Sequence, residues 1–552
     1  MDPNPQLANK AGSAYDFPLL IKQLLHTPLA VCPDQEIVYR DIRRHSYRTF
    51  RGRIGQLASA LSVAGVSMGH TVAVMDWDSH RYLECYFAVP MMGAVLMTVN
   101  VRLSPEQILY TLNHCEARVL LVNRDFLPVL SAIRDKLDTV RTLILLDDAV
   151  VPEDLPPGFT GEYENLLSAA SPEFAFPDFD ENTRATTFYT TGTTGLPKGV
   201  FFTHRQLVLH TLAVLGALSS PAQQGRLHRD DVYMPITPMF HVHAWGVPYI
   251  ATLLGLKQVY PGRYAPDDLL ALIRKERVTF SHCVPTILHM LLGRPEVRDG
   301  HLRGWKVIIG GSALPKGLAQ AALDLGIDVF AGYGMSETCP ILALAHVTTP
   351  LQGDAARELA IRTKTGMPVP LVDLRIVDEG LRDVPHDGTS VGEVVVRAPW
   401  LTQGYLKSPQ ASDALWAGGY LHTSDIGAID PYGYLQVTDR IKDVIKTGGE
   451  WVSSLELEDI ISRHPAVGEV AVIGVKDDRW GERPLALIVP KAGYVGRVDQ
   501  AAVQRHVKGY ADSGAISRYA VPDRVLFIEA IEKTSVGKLN KKLLRERYSR
   551  EH

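Results

Sequence analysis

The chain predicts an α/β fold with a small β subdomain, organised as a large N-terminal domain and a small, mobile C-terminal α+β domain. Three observations predict it. Short apolar strand patterns at 71–75, 117–122, 142–146 and 185–189 alternate with helical patterns such as 50–63, and such alternation implies a largely parallel sheet with helices on its faces. The length of 552 residues exceeds what one core organises. A polar segment at Asp439-Arg440 precedes a separate, shorter α/β pattern, so the expected domains are 1–438 and 439–552.

In chain order, the stretch 151–180, rich in Pro, Glu and Phe, reads as a connection. The strand 185–189 leads into a Gly/Thr loop, an apolar run at 200–204 and a helix from about 205. A second alternating series covers 232–329, including a strand at 306–309. The strand-rich region 372–397 is the expected β subdomain. Beyond 439 the pattern is helix 454–463, strands 469–475 and 485–489, helix 499–508 and strand 524–527.

Hydrophobic content of 46 % and charged content of 21 % exclude a disordered chain. A net charge of −4 carries no basic footprint, so no nucleic acid partner is expected. Cys32, Cys85, Cys115, Cys283 and Cys339 form no C-x-x-C pair. That argues against a disulfide framework or cysteine zinc site and for a reducing, cytoplasmic location. The start of the chain lacks a basic signal-peptide region. No apolar stretch reaches the roughly 18 residues of a bilayer span, so no integral membrane segment is expected. A homodimer is left open.

The densest chemistry lies in Thr190-Thr191-Gly192-Thr193-Thr194-Gly195-Leu196-Pro197-Lys198-Gly199. Glycines let backbone turn tightly and approach a ligand. Successive N–H groups in such a turn form an anion nest, threonine hydroxyls add donors, and Lys198 adds a mobile charge suited to phosphate. The order is not Walker A, because Gly199 and Val200 follow Lys198 where that motif needs Ser or Thr.

This loop resembles the phosphate loop of the adenylate-forming superfamily, which comprises acyl-CoA synthetases, adenylation domains and luciferases. Four further segments resemble that family, in its order: Ala331-Gly332-Tyr333-Gly334-Met335-Ser336-Glu337-Thr338, Tyr420-Leu421-His422-Thr423-Ser424-Asp425-Ile426-Gly427, Asp439-Arg440-Ile441-Lys442 running on to Lys446-Thr447-Gly448-Gly449-Glu450-Trp451, and Lys533-Thr534-Ser535-Val536-Gly537-Lys538. The resemblance spans nearly the whole chain and implies ATP, Mg²⁺ and coenzyme A as cofactors.

It also implies roles. Thr190, Thr191, Gly192, Thr193, Thr194, Gly195 and Lys198 would hold the β- and γ-phosphates. Glu337 would ligate Mg²⁺, a cation that prefers hard oxygen. Tyr333 would stack on adenine, with Gly310, Gly311, Ser312 and Ala313 walling the base and Gly332, Gly334, Met335 and Ser336 beside it. Asp425 and Arg440 would bond the ribose hydroxyls. Lys538 would be the catalytic lysine of adenylation, neutralising charge that develops on the attacked α-phosphate. Lys442 would be the hinge about which the small domain rotates between two half-reactions. After that rotation the loop with Lys446, Gly448, Gly449 and Trp451 would admit CoA. Taken alone, an Asp, Arg or Lys of this kind is most often a solvated charge or a surface ion pair.

Pro238-Met239-Phe240-His241-Val242-His243-Ala244-Trp245-Gly246 is similar to the fatty acyl-CoA synthetase branch, including bacterial medium- and long-chain enzymes. His241 would orient the carboxylate or the aromatic wall. Trp245, followed by Gly246, matches a tryptophan that gates the acyl tunnel, and core packing is the plainer role for His243 and Trp245. The expected substrate is a medium-chain fatty acid, then a long-chain one, then a short thioether acid such as 3-methylmercaptopropionate. Within 552 residues no carrier-protein domain follows, which favours free CoA as acceptor. A luciferase-like oxygenase, a non-catalytic acyl-binding protein and a phosphate-releasing NTPase are the readings from other classes.

Overall fold

A computed structural model describes residues 10–548 except 149–154, 191–195, 448–449, 478 and 534–538, and of 450 and 451 the backbone alone. Four sheets organise the described residues. In one, the strands Thr142–Leu146, Ala117–Asn123, Thr71–Met75, Val95–Thr98 and Arg184–Tyr189 run parallel in that spatial order, and Gly199–Thr203 closes the edge antiparallel. In the second, Lys257–Tyr260, Val232–Pro235, Phe280–Cys283, Lys306–Ile309 and Asp328–Gly334 form the parallel centre. All five residues of Thr71–Met75 are buried, as expected for a parallel strand covered on both faces.

The helix His80–Met91 lies between these sheets. All twelve of its residues are buried, and it contacts Glu36–Tyr39 of one sheet and Val95–Thr98 of the other. Ser79 caps its start by accepting from Tyr82 N. Burying Glu84 on such a helix requires a partner. Arg53 supplies it, with Nε 2.6 Å from Oε1 and Nη2 3.2 Å from Oε2. The same guanidinium binds both oxygens of Glu164 at 2.9 Å, and Tyr163 donates to Glu84 at 2.6 Å. Burial alone pushes the Glu84 carboxyl up, but the charge and hydrogen bonds of Arg53, together with His80 and the Tyr163 hydroxyl, outweigh it and hold the group below its usual range. His45, His80 and Glu84 also place three ligand-type atoms within 4.8 Å of one another. The guanidinium already bonds both Glu84 oxygens, and its charge repels a second cation there.

The expected elements at 71–75, 142–146, 306–309 and 524–527 coincide with observed strands. Two readings need correction. The connection 151–180 contains a short strand, Gly161–Glu162, and a helix, Tyr163–Ser168. Six residues are too few for a helical period to register; this helix exists because the Glu162 carboxylate accepts from Glu164 N and Asn165 N and Tyr163 is buried. The β subdomain is larger than 372–397. Its four antiparallel strands are Asp373–Val377, Gly392–Arg397, Leu421–Ile429 and Leu435–Arg440. A fourth sheet begins at Ile445–Thr447 and includes Val467–Asp477, Gly481–Pro490 and Arg524–Phe527, so the chain changes sheet at 441–444.

Arg53→Met leaves the buried Glu84 without its guanidinium partner and takes one cation from the half-buried Glu164, which keeps Arg43 at 3.4 Å. It should destabilise the protein by about 3–5 kcal/mol, because an uncompensated buried charge costs more than a missing pair. Adding Glu84→Gln should return part of the loss. Urea unfolding of the single and double variants checks this, and an unchanged midpoint for Arg53→Met contradicts it.

Candidate active site

The segment expected to hold the phosphates starts where the strand Arg184–Tyr189 ends. Thr190 N donates to Lys198 O at 3.0 Å and Lys198 N to Thr190 Oγ1 at 3.2 Å, which closes the base of the loop. Thr191, Gly192, Thr193, Thr194 and Gly195 lie outside the described residues. A Cβ on Gly199 would come within 3.2 Å of the Tyr189 ring and 3.1 Å of Leu406. Lys198 is exposed, and its ammonium lies 4.6 Å from the centre of the Tyr405 ring. The Tyr405 hydroxyl donates to Glu337 Oε1 at 2.7 Å. Tyr405 was not expected at the site; a single tyrosine outside the family-like segments carries no pattern of its own.

The residues expected to hold the nucleoside stand on the next sheet. The strand Lys306–Ile309 delivers Gly310 and then Gly311, whose φ of +80° is in the left-handed region. A Cβ on Gly310 would stand 2.9 Å from Gly332 O and 3.0 Å from the Trp245 ring, so only glycine allows this close wall. Ser312 and Ala313 are exposed beside it. The end of the strand Asp328–Gly334 presents Tyr333 and Gly334, followed by half-buried Met335 and Ser336 and buried Glu337. Tyr333 Oη donates to Asp425 Oδ2 at 2.6 Å, and Arg440 Nε stands 3.2 Å from Asp425 Oδ1. Asp425 and Arg440 face each other across paired strands. The structure thus brings the residues expected for base and ribose together and adds a bond between Tyr333 and Asp425.

The acyl-side segment departs from simple expectation. Val242, His243, Ala244, Trp245 and Gly246 all have positive φ, from +47° to +74°, and form one left-handed turn. Each non-glycine residue in that conformation costs roughly 1–2 kcal/mol, so the surroundings must enforce it. Burial does so. His243 sits among the rings of Tyr86, Phe188, Phe202 and Tyr249, with centres 5.4–6.4 Å away. Burial pushes its imidazole down to about 3, so it is neutral. His243 is therefore a core residue, as its plainer role implied. His241 is half-buried at the mouth of the turn, with its N donating to Pro238 O at 2.9 Å. Trp245 is 6 % exposed, and its ring lies 4.9 Å from that of His282. Behind it His282 bonds Tyr233 Oη at 2.7 Å and Thr237 Oγ1 at 3.1 Å, a buried polar backing. A Cβ on Gly246 would come within 2.8 Å of the His210 ring.

Past Arg440, Lys442 is exposed in the 441–444 connection. Asp439 Oδ2 accepts from Ser454 N at 2.6 Å, and Asp443 pairs with Arg545. Lys446 pairs with Trp451 in the hairpin of Ile445–Thr447 and Glu450–Val452. Gly448, Gly449 and Lys538 lie outside the described residues, as does the Trp451 side chain. The donor set suits the expected metal: a buried carboxylate, Glu337, stands one tyrosine away from a lysine ammonium at the base of a glycine-threonine loop.

The AMP-binding enzyme family matches residues 26–406, and its C-terminal domain matches 456–538. The chain belongs to the AMP-binding enzymes. It is 39 % identical over 541 residues to the long-chain-fatty-acid–CoA ligase of Thermus thermophilus, covering 97 % of this chain and 96 % of that one. It is 36 % identical to the 3-methylmercaptopropionyl-CoA ligase of Ruegeria lacuscaerulensis over 97 % of this chain and 98 % of the other. It is 35 % identical to a medium-chain-fatty-acid–CoA ligase of Ectopseudomonas oleovorans over 92 % and 91 %. Among solved structures, ATP-bound MatB from Rhodopseudomonas palustris superposes with a TM-score of 0.81 at 25 % identity, covering 96 % of this chain and 99 % of that one. No helix among the described residues is long and apolar enough to cross a membrane.

The geometry predicts that Asp425→Ala weakens ATP binding by about 1.5–3 kcal/mol, the range for hydrogen bonds to a charged group. Tyr333→Phe, which removes only the hydroxyl on Asp425, should cost less. Calorimetric titration with ATP checks both. Wild-type affinity in Asp425→Ala would assign that carboxylate to strand pairing alone.

Proposed function

We propose the following course for the reaction at this site. The protein is an ATP-dependent acyl-CoA ligase. A substrate carboxylate oxygen attacks the α-phosphorus of ATP, the bond to the β-phosphate breaks, and pyrophosphate leaves. The thiol of CoA then attacks the acyl carbonyl and AMP departs. The observation that supports this most strongly is that the expected residues gather around one short segment, 332–337. One set of contacts links Lys198, Tyr405 and Glu337, a second links Tyr333, Asp425 and Arg440, the short chain segment 332–337 carries members of both, and Gly332 and Gly310 close on Trp245.

In this reading Lys198 and the loop 190–195 take the β- and γ-phosphates. Glu337 holds Mg²⁺, which when bound supplies charge neutralisation on the phosphates. Asp425 and Arg440 take the ribose, and Tyr333 with the 310–313 wall takes the base. Lys538 neutralises charge during the first step only. Lys442, in the short connection between two sheets, is the hinge of a C-terminal domain 439–552, and Lys446, Gly448, Gly449 and Trp451 serve the CoA step after rotation. The five cysteines, all free thiols, support a reducing, cytoplasmic location. The net charge of −4 supports a small-molecule partner and not a nucleic acid.

The acid is a medium-chain fatty acid, with Trp245 closing the tunnel. A second reading, a short thioether acid, is favoured by one observation: the space behind Trp245 holds the hydrogen-bonded His282, Tyr233 and Thr237, a polar backing poorly suited to a long alkyl chain.

Two predictions follow from these roles. Lys538→Ala should slow adenylate formation by about 10²–10³-fold, the cost of one preorganised charge-stabilising donor, while thioester formation from a supplied acyl-adenylate stays close to wild type. Pyrophosphate release and thioester assays separate the two, and equal loss in both steps contradicts the role. Trp245→Ala should shift the kcat/KM ratio between acids toward longer chains, each methylene being worth about 1–3 kcal/mol. A pure core role predicts instead about 3–5 kcal/mol of lost stability with an unmoved chain-length profile. The melting curve and a chain-length series on one preparation decide between them.

A further inference from the structure

The segment 401–406 runs between the strand Gly199–Thr203 and Glu337 and is bonded to both. Thr402 N donates to Glu337 O at 2.9 Å, and its Oγ1 donates to Phe201 O at 2.9 Å. Leu406 N donates to Gly199 O at 2.8 Å, and Tyr405 bridges to Val200. Trp416 Nε1 and Gln206 Nε2 fix the segment from outside through Thr402 O and Leu401 O, at 3.0 and 2.6 Å. At its centre is the half-buried Tyr405, with the Lys198 ammonium 4.6 Å from its ring centre and its hydroxyl 2.7 Å from Glu337 Oε1.

This placement solves an electrostatic problem. A lysine and a glutamate facing the same phosphates attract each other when the phosphates are absent. Collapsed into a direct ion pair, they would have to be separated before either met a ligand. A tyrosine between them gives each a weaker partner of its own: the ring face for the ammonium and the hydroxyl proton for the carboxylate. Burial, with the Glu337 charge beside it, raises the Tyr405 hydroxyl well above the usual phenol range, so it remains a donor.

We propose that Tyr405 is a positioning residue that keeps Lys198 and Glu337 apart and aimed at the metal-bound triphosphate. Its hydroxyl sets the carboxylate that receives Mg²⁺, and its ring sets the ammonium that receives phosphate. The inference rests on the roles proposed above for those two residues.

The test is calorimetric titration of the enzyme with ATP, without acid so that nothing turns over, once in Mg²⁺ and once in EDTA. Tyr405→Phe keeps the ring and loses the hydroxyl. It should lose about tenfold of the tightening that Mg²⁺ gives, the effect of one hydrogen bond to a charged group, with the EDTA affinity unchanged. Tyr405→Leu should weaken ATP in both conditions, because Lys198 also loses its platform. Lys198→Ala and Glu337→Ala run alongside. If they leave affinity intact, the reading of the phosphate site fails. If they weaken binding while Tyr405→Phe keeps the full Mg²⁺ effect, the Tyr405 inference alone fails. A lower melting temperature for Tyr405→Phe with the Mg²⁺ effect unmoved marks a structural brace and likewise overturns it.

Discussion

The helix His80–Met91 is buried on every side, and the active site depends on that burial. Two parallel sheets, each with apolar strands on both faces, can share one core only through an element that both can cover. This helix carries Glu84, Arg81 and His80 into that core, and Arg53, which also pairs with Glu164, neutralises the Glu84 carboxylate that burial would otherwise penalise. Its Tyr86 reaches Met239 O and packs on His243. Just before it, Asp78 Oδ1 accepts from Met239 N at 2.8 Å. The left-handed acyl turn is thus held from the helix side, and its conformational cost is offset by packing that no isolated segment supplies.

From that frame the two halves of the site differ in kind. On the side expected to hold the acyl group, Trp245 packs on Gly310 and His282, and the buried His282 is hydrogen-bonded to Tyr233 and Thr237. The phosphate side is charged and adjustable. Among the described residues, the exposed Lys198 ammonium lies on the Tyr405 ring face, while buried Glu337 accepts the Tyr405 hydroxyl. A group that must exchange a resting partner for a ligand gains from a weak resting partner, and one that sets substrate fit gains from a strong one. Asp425 lies between these cases, bonded by Tyr333 and Arg440 and close to the change of sheet at 441–444.

Much of this was legible in the sequence. The strands at 71–75, 142–146 and 306–309 were readable because parallel, doubly covered strands are continuous apolar runs. The helix Tyr163–Ser168 was not, since its start depends on the Glu162 side chain and its burial on contacts far away in sequence. The strands Leu421–Ile429 and Leu435–Arg440 were read for the chemistry of Asp425 and Arg440 and not for their pairing. Among site residues, Asp425, Arg440, Tyr333, Glu337 and Lys198 stood in dense segments. Tyr405 and His282 did not: each acts through one neighbour brought close by tertiary packing, a relation that leaves no spacing in the chain. The left-handed turn was hidden for the same reason, because its residues other than Gly246 have no preference for positive φ.

As an ATP-dependent acyl-CoA ligase, the protein joins a carboxylic acid first to AMP and then to CoA. The most direct measurement supplies ATP, Mg²⁺ and a series of acids from 3-methylmercaptopropionate to long-chain fatty acids, with and without CoA, and follows AMP, pyrophosphate and orthophosphate together. The account predicts pyrophosphate release that requires an acid, multiple turnovers only when CoA is present, AMP and thioester formed in equal amounts, and the best rates at medium chain length. Orthophosphate as the product, or pyrophosphate release indifferent to every acid, would contradict it.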